Sequence, residues 1–557
     1  MTLQSFRLIK SLSIVLFVTN IGVLLCFEAF AQKSNAAKPK LVVGIVIDQM
    51  RYDLLYRYLP YMGKGGFKKL LDKGYSFENT KYDYIPTVTG PGHASIYTGA
   101  PPAHHGIVGN DWHNYAAGRE MYCAYDSSVH GLGTNTKYGQ RSPKNLLATT
   151  ITDELKIANP KSKVVGIAHK DRGSILPAGH LPDAAYWYDF EAGVMVSSSY
   201  YNDSLPSWVQ SFNQRYTTAS FLQKPWTLAL PSSIYQNYLP DNNIYETKSF
   251  LRDSTSFPHH FHKLTDTQKQ AKWFGFTPFA NTYLTQFTKA AIFNHNLGLD
   301  THTDFLAISY STPDLIGHHF GLRSVEIQDC YIRLDRDIQN LLETLDKQVG
   351  ANNYLLFLTA DHGVTDIPAL ANDLFKLNTR AIGYAEISNY LDSCLSKFYG
   401  LEKWVIQQEA EVVYLNRRAI SKKGLTLSEV RQKAAALLEL KPGVIDVITY
   451  DELRENHAYT KDLYIKAQNG FHIDRSPDLL LLLNPGWFIG PLDGTSHSTG
   501  YNYDVQVPLV WYGKGIKKGS TVRACSVLDI APTIASWLQL IQPSAATGVP
   551  LIELFGK

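Results

Sequence analysis

Phe305-Leu306-Ala307-Ile308-Ser309-Tyr310 and Tyr354-Leu355-Leu356-Phe357-Leu358-Thr359 decide the fold, because of what lies between them. Each is a short run of nearly unbroken apolar character, the pattern of a strand buried on both faces. In the intervening stretch Ile327, Tyr331, Leu334, Ile338, Leu341 and Leu345 recur at alternating spacings of four and three, which draws one apolar stripe down a helix. Ser324 is placed to cap the start of that helix and Gly350 to stop it. Strand, helix, strand over 305 to 359 is the crossover unit of a parallel sheet.

Two other runs repeat the pattern, Leu41 to Ile47 before Asp48 and Val164 to Ala168 before Lys170. The expected fold is α/β, a mostly parallel central sheet with helices on both faces and inserted cap regions. Each run ends in a polar cluster, and the carboxyl ends of parallel strands are where such sheets place ligands. Two stretches read as the insertions. One, at about 185 to 300, is rich in Tyr, Asn, Ser and Phe. In the other, at about 370 to 475, Glu411 to Asn416 reads as a strand, Thr426 to Leu440 as a helix and Val444 to Tyr450 as a second strand. Either they only cover the sheet or they wall a site at its edge.

A chain of 557 residues, 45% hydrophobic and 18% charged, can bury a large core, so one large domain with insertions is expected. The formal net charge of +3 is spread without long basic runs, which gives no footprint for nucleic acid and favours a small substrate. At the start, Arg7 and Lys10 precede an apolar stretch from Leu12 to Leu25, and Ala29-Phe30-Ala31 offers a small-x-small cleavage site before Gln32. Residues 1–31 thus read as a signal peptide cleaved near Ala31, which implies a periplasmic or secreted protein made of residues 32–557. A membrane anchor is the rival reading, but Thr19, Asn20 and Gly22 interrupt an apolar stretch already short for a bilayer. A lipid anchor on Cys26 is disfavoured by the bulky Leu25 before it. Cys123, Cys330, Cys394 and Cys525 form no C-x-x-C pair, so thiolate zinc ligation is not expected and their disulfide pairing is left open.

The chemistry lies in what the polar clusters hold jointly. Asp48, Asp314, His318, Asp361, His362 and His497 are three carboxylates and three imidazoles, each near an expected strand end. Mixed nitrogen and oxygen donors suit Zn²⁺ better than Mg²⁺ or Ca²⁺, and six of them suffice for two ions. Asp314 and His318 stand one helical turn apart, and Gly363 permits the irregular backbone that adjacent Asp361 and His362 need to share a metal. In Pro86-Thr87-Val88-Thr89-Gly90-Pro91-Gly92 the Thr89 hydroxyl falls at a helix start. Taken alone that placement reads as an ordinary cap, although a helix start also stabilises an alkoxide and receives a phosphoryl group through its free N–H groups.

Asp48-Gln49-Met50-Arg51, Pro86-Thr87-Val88-Thr89, Gly109-Asn110-Asp111-Trp112, Lys170-Asp171-Arg172, Asp314 with His318, Asp361-His362-Gly363 and Gly494-Thr495-Ser496-His497 occur in one order along the chain. In that order they resemble the alkaline phosphatases of the phosphate-irrepressible type, over nearly the whole chain from Lys40 to Asp529-Ile530-Ala531-Pro532-Thr533. The resemblance implies a zinc-dependent phosphate monoester hydrolase. In it Asp314, His318 and His497 hold one zinc, while Asp48, Asp361, His362 and the Thr89 oxygen hold the other. Thr89 would be the nucleophile that is transiently phosphorylated, and Asn110, Lys170 and Arg172 would contact the phosphoryl oxygens. Two cations complement a monoester dianion better than a diester, so a nucleotide pyrophosphatase or phosphodiesterase of the same superfamily is the nearest alternative. A sulfatase is disfavoured because Thr89 is not set in a Cys/Ser-x-Pro-x-Arg context. An inactive surface binding protein is the alternative of another class, and it is disfavoured because no ligand or nucleophile is missing. The biological expectation is broad phosphate scavenging by a monomer outside the cytoplasmic membrane, with small phosphate monoesters as its partners.

Overall fold

The computed structural model describes residues 38–235, 239–247, 255–455 and 458–555; the expected leader at 1–31 and Cys26 lie outside them. Eight strands frame the central sheet: β1 (Leu41–Ile47), β2 (Tyr75–Lys81), β3 (Val164–Ala168), β4 (Ala184–Asp189), β5 (Val194–Ser198), β6 (Asp304–Tyr310), β7 (Tyr354–Thr359) and β8 (Gln506–Gly513). Their spatial order is β2, β8, β7, β1, β6, β3, β4, β5, with short strands at Gly519–Thr521 and Gly131–Leu132 on the two edges. The inner five, β7 to β4, run parallel. β8 joins β7 and β2 antiparallel, and β5 joins β4 antiparallel. The sheet is therefore mixed: β1, β3, β6 and β7 in its middle have no exposed residue, and at one edge the short strand Gly519–Thr521 pairs with β2 in parallel. The antiparallel additions sit toward the edges, where no crossover helix is needed to reach them.

Register sets the geometry of the site. Ile47 pairs with Tyr310, Val46 with Thr359, and Ala168 with Ser309. The four apolar runs thus end level with one another, and the polar residues that follow each run emerge at one edge. Four helices support that edge: α1 (Thr89–Thr98), α2 (Asp171–Ala178), α3 (Thr312–Phe320) and α4 (Val325–Leu345). The Ser324 side chain accepts from the Ile327 N–H at the start of α4, and the chain turns at Gly350 with φ +98°. α1 is buried along its whole length. It packs this closely because of Gly92, where a Cβ would lie 2.3 Å from the Asp361 carbonyl oxygen; a side chain there would push α1 away from the end of β7.

The stretch from 185 to 300 supplies β4 and β5 to the central sheet, and its helix Pro278–Asn294 buries Tyr283, Leu284 and Phe287 in the core shared with α4. Between 370 and 490 the chain builds a second, antiparallel sheet in the order Val405–Glu409, Val412–Leu415, Leu479–Leu483, Val444–Thr449. Its strands alternate between two cores. Val413, Leu415, Leu479 and Leu481 pack under the helices Tyr384–Tyr399 and Leu427–Leu438, whereas Val412, Tyr414, Leu480 and Leu482 pack against Ile85, Val108 and Trp112. Period-two alternation in strands buried on both sides thereby seats this cap on the segments that flank Thr89. Cys123, Cys330, Cys394 and Cys525 are free thiols, and no helix among the described residues is long and apolar enough to cross a membrane.

Candidate active site

At the carboxyl edge of the sheet the six acid and imidazole residues fall into two groups, Asp48 with Asp361 and His362, and Asp314 with His318 and His497. Within each group one ligand atom per residue lies within 4.8 Å of the others. Asp48 follows β1 and Asp361 follows β7, so adjacent parallel strands deliver the first pair of carboxylates. Asp314 and His318 share one turn of α3, with His318 Nε2 3.1 Å from Asp314 Oδ1. His497 arrives from a distant loop, with its Nε2 3.5 Å from the same oxygen. Its ring stacks on that of His362, with centroids 3.6 Å apart, so the two groups abut.

The imidazoles are oriented by backbone. His318 Nδ1 lies 2.7 Å from the Thr495 carbonyl oxygen, His497 Nδ1 2.8 Å from that of Thr87 and His362 Nδ1 3.0 Å from that of Gly363. Each Nδ1 thus carries a hydrogen; in His362 and His497 this leaves Nε2 with a lone pair, the arrangement of a metal-binding histidine, whereas burial works to lower His318 but Asp314, 3.1 Å from its Nε2, raises it above its ordinary value. Burial pushes His362 and His497 down to about 3, so both rings are neutral. Burial, then the charges of Asp314 and Asp361, pushes the Asp48 carboxyl well above the usual carboxylate range against the pull of Lys170. Asp361 is pushed up to about 7, again by burial first. Asp314 departs the other way: burial works to raise it, but His318 and Lys170 outweigh that and hold it well below its ordinary value.

The donor set fits a divalent cation in each group. Asp48 Oδ1, Asp361 Oδ2 and His362 Nε2 are buried and have no hydrogen-bond partner, a costly state for polar atoms that a cation would relieve. The second group offers one carboxylate and two neutral-capable imidazoles, the nitrogen-rich set that zinc accepts.

Thr89 is 2% exposed and is the first residue of α1, while Val88 takes the cap position. Its Oγ1 lies 3.4 Å from Lys170 Nζ and 3.4 Å from Arg172 Nη2. Both neighbours are donors, so the hydroxyl oxygen is an acceptor in a field that favours its deprotonated form. Lys170 itself is shared between the groups, 2.7 Å from Asp48 Oδ2 and 2.6 Å from Asp314 Oδ2. Asn110 accepts from the Gly90 N–H through Oδ1 at 2.8 Å, which aims its NH₂ as a donor beside Thr89. All ten residues expected from the sequence are brought to this one edge.

The structure adds residues that sequence reasoning missed. Gln49, in a left-handed conformation at φ +66°, donates its backbone N–H to Asp361 Oδ1 and its Nε2 to Asp314 Oδ1, one to each group. His93 lies with Nδ1 2.9 Å from the Thr89 carbonyl oxygen and Nε2 2.8 Å from Ser309 Oγ. Arg172 receives its position from Tyr122, whose hydroxyl accepts from Arg172 Nη1 at 3.2 Å and donates to Asp171. Arg141 in turn donates to Asp171 Oδ2 at 2.6 Å and lies over the Tyr122 ring. The clue available in the sequence was limited to Gln49, which sits within the Asp48-Gln49-Met50-Arg51 motif.

Comparison with known proteins narrows the reading. Residues 42–502 match the family model described as type I phosphodiesterase / nucleotide pyrophosphatase. The chain is 42% identical, over 96% of its length and 98% of the relative's, to a Myroides odoratus protein named calcium-transporting ATPase. It is 39% identical, over 95% of its length and 96% of the relative's, to alkaline phosphatase PafA of Elizabethkingia meningoseptica. The crystal structure of wild-type PafA superposes with a TM-score of 0.89 at 38% identity, covering 94% of this chain and all of that one. Agreement of this extent, in sequence and in fold, makes the chain a member of the alkaline phosphatase superfamily, of the phosphate-irrepressible alkaline phosphatase type.

Proposed function

We propose that this protein hydrolyses phosphate monoesters through a phosphothreonine at Thr89, with two zinc ions held by Asp48, Asp361, His362 and Thr89 and by Asp314, His318 and His497. The observation that carries the reading is the placement of the Thr89 hydroxyl, 3.4 Å from each of two cationic nitrogens and at the head of a buried helix. Zinc bound there would supply Lewis-acid stabilisation of the attacking and leaving oxygens of an in-line displacement. The chain's own residues do the rest. Thr89 Oγ1 forms the new bond to phosphorus as the ester P–O bond breaks, and water later cleaves the phosphothreonine to release phosphate. Lys170, Arg172 and the Asn110 NH₂ complement the non-bridging oxygens of a dianion. A diester carries one negative charge less and one substituent more, so it uses these donors poorly. That is the argument for monoesters over the diester chemistry in the family model's description.

Export to the periplasm or beyond, broad phosphate scavenging and a monomeric state complete the proposal. Export rests on the leader-like residues 1–31, scavenging on that export together with a site for small monoesters. The test is the ratio of kcat/KM for an aryl phosphate monoester against its methyl diester, on the purified protein with zinc restored after chelation. A large zinc-dependent preference for the monoester is expected. A diester preference would move the protein to the phosphodiesterase reading, and inactivity toward both would revive the binding-protein reading.

A further inference from the structure

The cap reaches the residue beside His497 through the side chain of Glu411, at the tight turn between the strands Val405–Glu409 and Val412–Leu415. Glu411 is 4% exposed. Its position is fixed locally: the preceding Ala410 turns the chain at φ +46°, the Glu411 carbonyl oxygen accepts from the Leu481 N–H at 2.8 Å, and Oε1 accepts from the Ile489 N–H at 3.3 Å. The other carboxyl oxygen accepts from the hydroxyl of Ser498, the residue that follows His497.

Ser498 is unusual in its backbone. Its φ is +132°, a region that glycine enters freely and other residues enter only when their surroundings hold them there. That turn lets His497 face Asp314 while Thr499 folds back onto Asp504, with 2.8 Å between the Thr499 nitrogen and Asp504 Oδ2. Three contacts hold Ser498. Its N–H donates to Asp504 Oδ2 at 3.2 Å, its carbonyl oxygen accepts from the Thr87 N–H at 3.2 Å, and its hydroxyl donates to Glu411. The first two use main-chain groups that any residue would offer. The third needs the serine side chain, and it alone comes from the cap. Burying a carboxyl group to receive a hydroxyl and an amide costs more than burying an apolar side chain of the same size, so packing by itself gives no reason for a glutamate here.

We propose that Glu411 is a positioning residue for the zinc held by Asp314, His318 and His497, acting by fastening Ser498 in the strained turn that aims His497. The inference rests on the two-zinc reading and assigns the cap a part in metal binding in addition to covering the sheet. Strip the full-length protein with chelator, titrate zinc against a chromogenic competing chelator, and compare wild type with Glu411→Ala, Glu411→Gln and Ser498→Ala. The wild type should bind two equivalents. Glu411→Ala and Ser498→Ala should weaken one equivalent about 10–100-fold and leave the other unchanged, the size typical of a lost partner behind a ligand. Glu411→Gln, whose amide oxygen can stay on the Ile489 N–H while its NH₂ donates to the Ser498 hydroxyl oxygen, should stay close to wild type. Adding Ser498→Gly to Glu411→Ala should recover most of the loss, because glycine takes up the turn unaided. Wild-type affinities in both alanine variants would overturn the inference, as would Glu411→Gln binding as weakly as Glu411→Ala. If Glu411→Ala does not fold, Ser498→Ala decides alone. A wild type that fails to bind two zinc ions would instead remove the reading on which the inference rests.

Discussion

The two acid and imidazole groups are built by different means. Asp48, Asp361 and His362 stand at the ends of adjacent parallel strands, are fully buried, and leave three atoms without hydrogen-bond partners. Asp314, His318 and His497 come from a helix and a distant loop; the His318 side chain is 30% exposed, and Asp314 is already engaged by Gln49 and Lys170. The first group is a closed socket whose unpartnered polar atoms suit a cation. The second is open only at His318, since Asp314 and His497 are buried, and Gln49 and Lys170 engage a carboxylate in both groups. On the proposed reading, a closed socket would suit the ion that serves the nucleophile, and the more exposed group would suit departure of the leaving group and entry of water.

The largest effect should come from the closed side. Thr89→Ala should cut turnover of an aryl phosphate at least about a thousandfold, as loss of a nucleophile does, and should abolish phosphoprotein trapped by acid quenching. Retained turnover would exclude Thr89 and break the comparison at its root. Next, Lys170→Ala with Arg172→Ala should lower monoesterase kcat/KM about 100–1,000-fold more than diesterase kcat/KM, the scale of losing charged donors at a transferring group. Equal losses would give the pair a general role.

The comparison itself is tested by metal removal. Chelation should extract one zinc quickly and one slowly, and His318→Ala should eliminate the fast phase and weaken that site about 10–100-fold. Two indistinguishable phases would show that exposure does not govern exchange. The smallest effect expected is that of Tyr122→Phe. Loss of the hydroxyl that holds Arg172 should lower kcat/KM for the monoester about tenfold, one hydrogen bond to a charged group, with little change in zinc affinity. An equal fall in zinc affinity would mean that the Arg141, Asp171 and Tyr122 network supports the whole edge of the sheet.

The parallel core was legible because each strand is a short apolar run, and the run alone signals burial on both faces. β1, β3 and β7 begin and end at the expected residues, and β6 starts one residue earlier at Asp304. The cap strands expected at Glu411 to Asn416 and Val444 to Tyr450 are found at Val412–Leu415 and Val444–Thr449, but the antiparallel strands of the central sheet were not legible. β8 pairs with β2 and β7, and nothing in their local pattern says which neighbour each will find. The ten candidate residues could be named from motif order, and the structure brings them to one edge of the sheet, in part because the ends of adjacent parallel strands converge whatever the length of chain between them. Gln49, His93, Tyr122 and Glu411 act through contacts with residues far away in sequence, and such contacts leave no periodic trace.

The sequence by itself determined which residues are candidates for the chemistry, because hydroxyl, imidazole, carboxylate and cation are properties of side chains and their order along the chain is a one-dimensional signal. Only the tertiary structure decided how they are shared out. It buried one acid and imidazole group fully and left a partly exposed histidine in the other, set Lys170 between them, and tied the cap to Ser498 beside His497. Those outcomes depend on strand register, on the close approach allowed at Gly92 and on a backbone turn at Ser498. Each is a matter of distances in space, fixed by packing after the chain has folded.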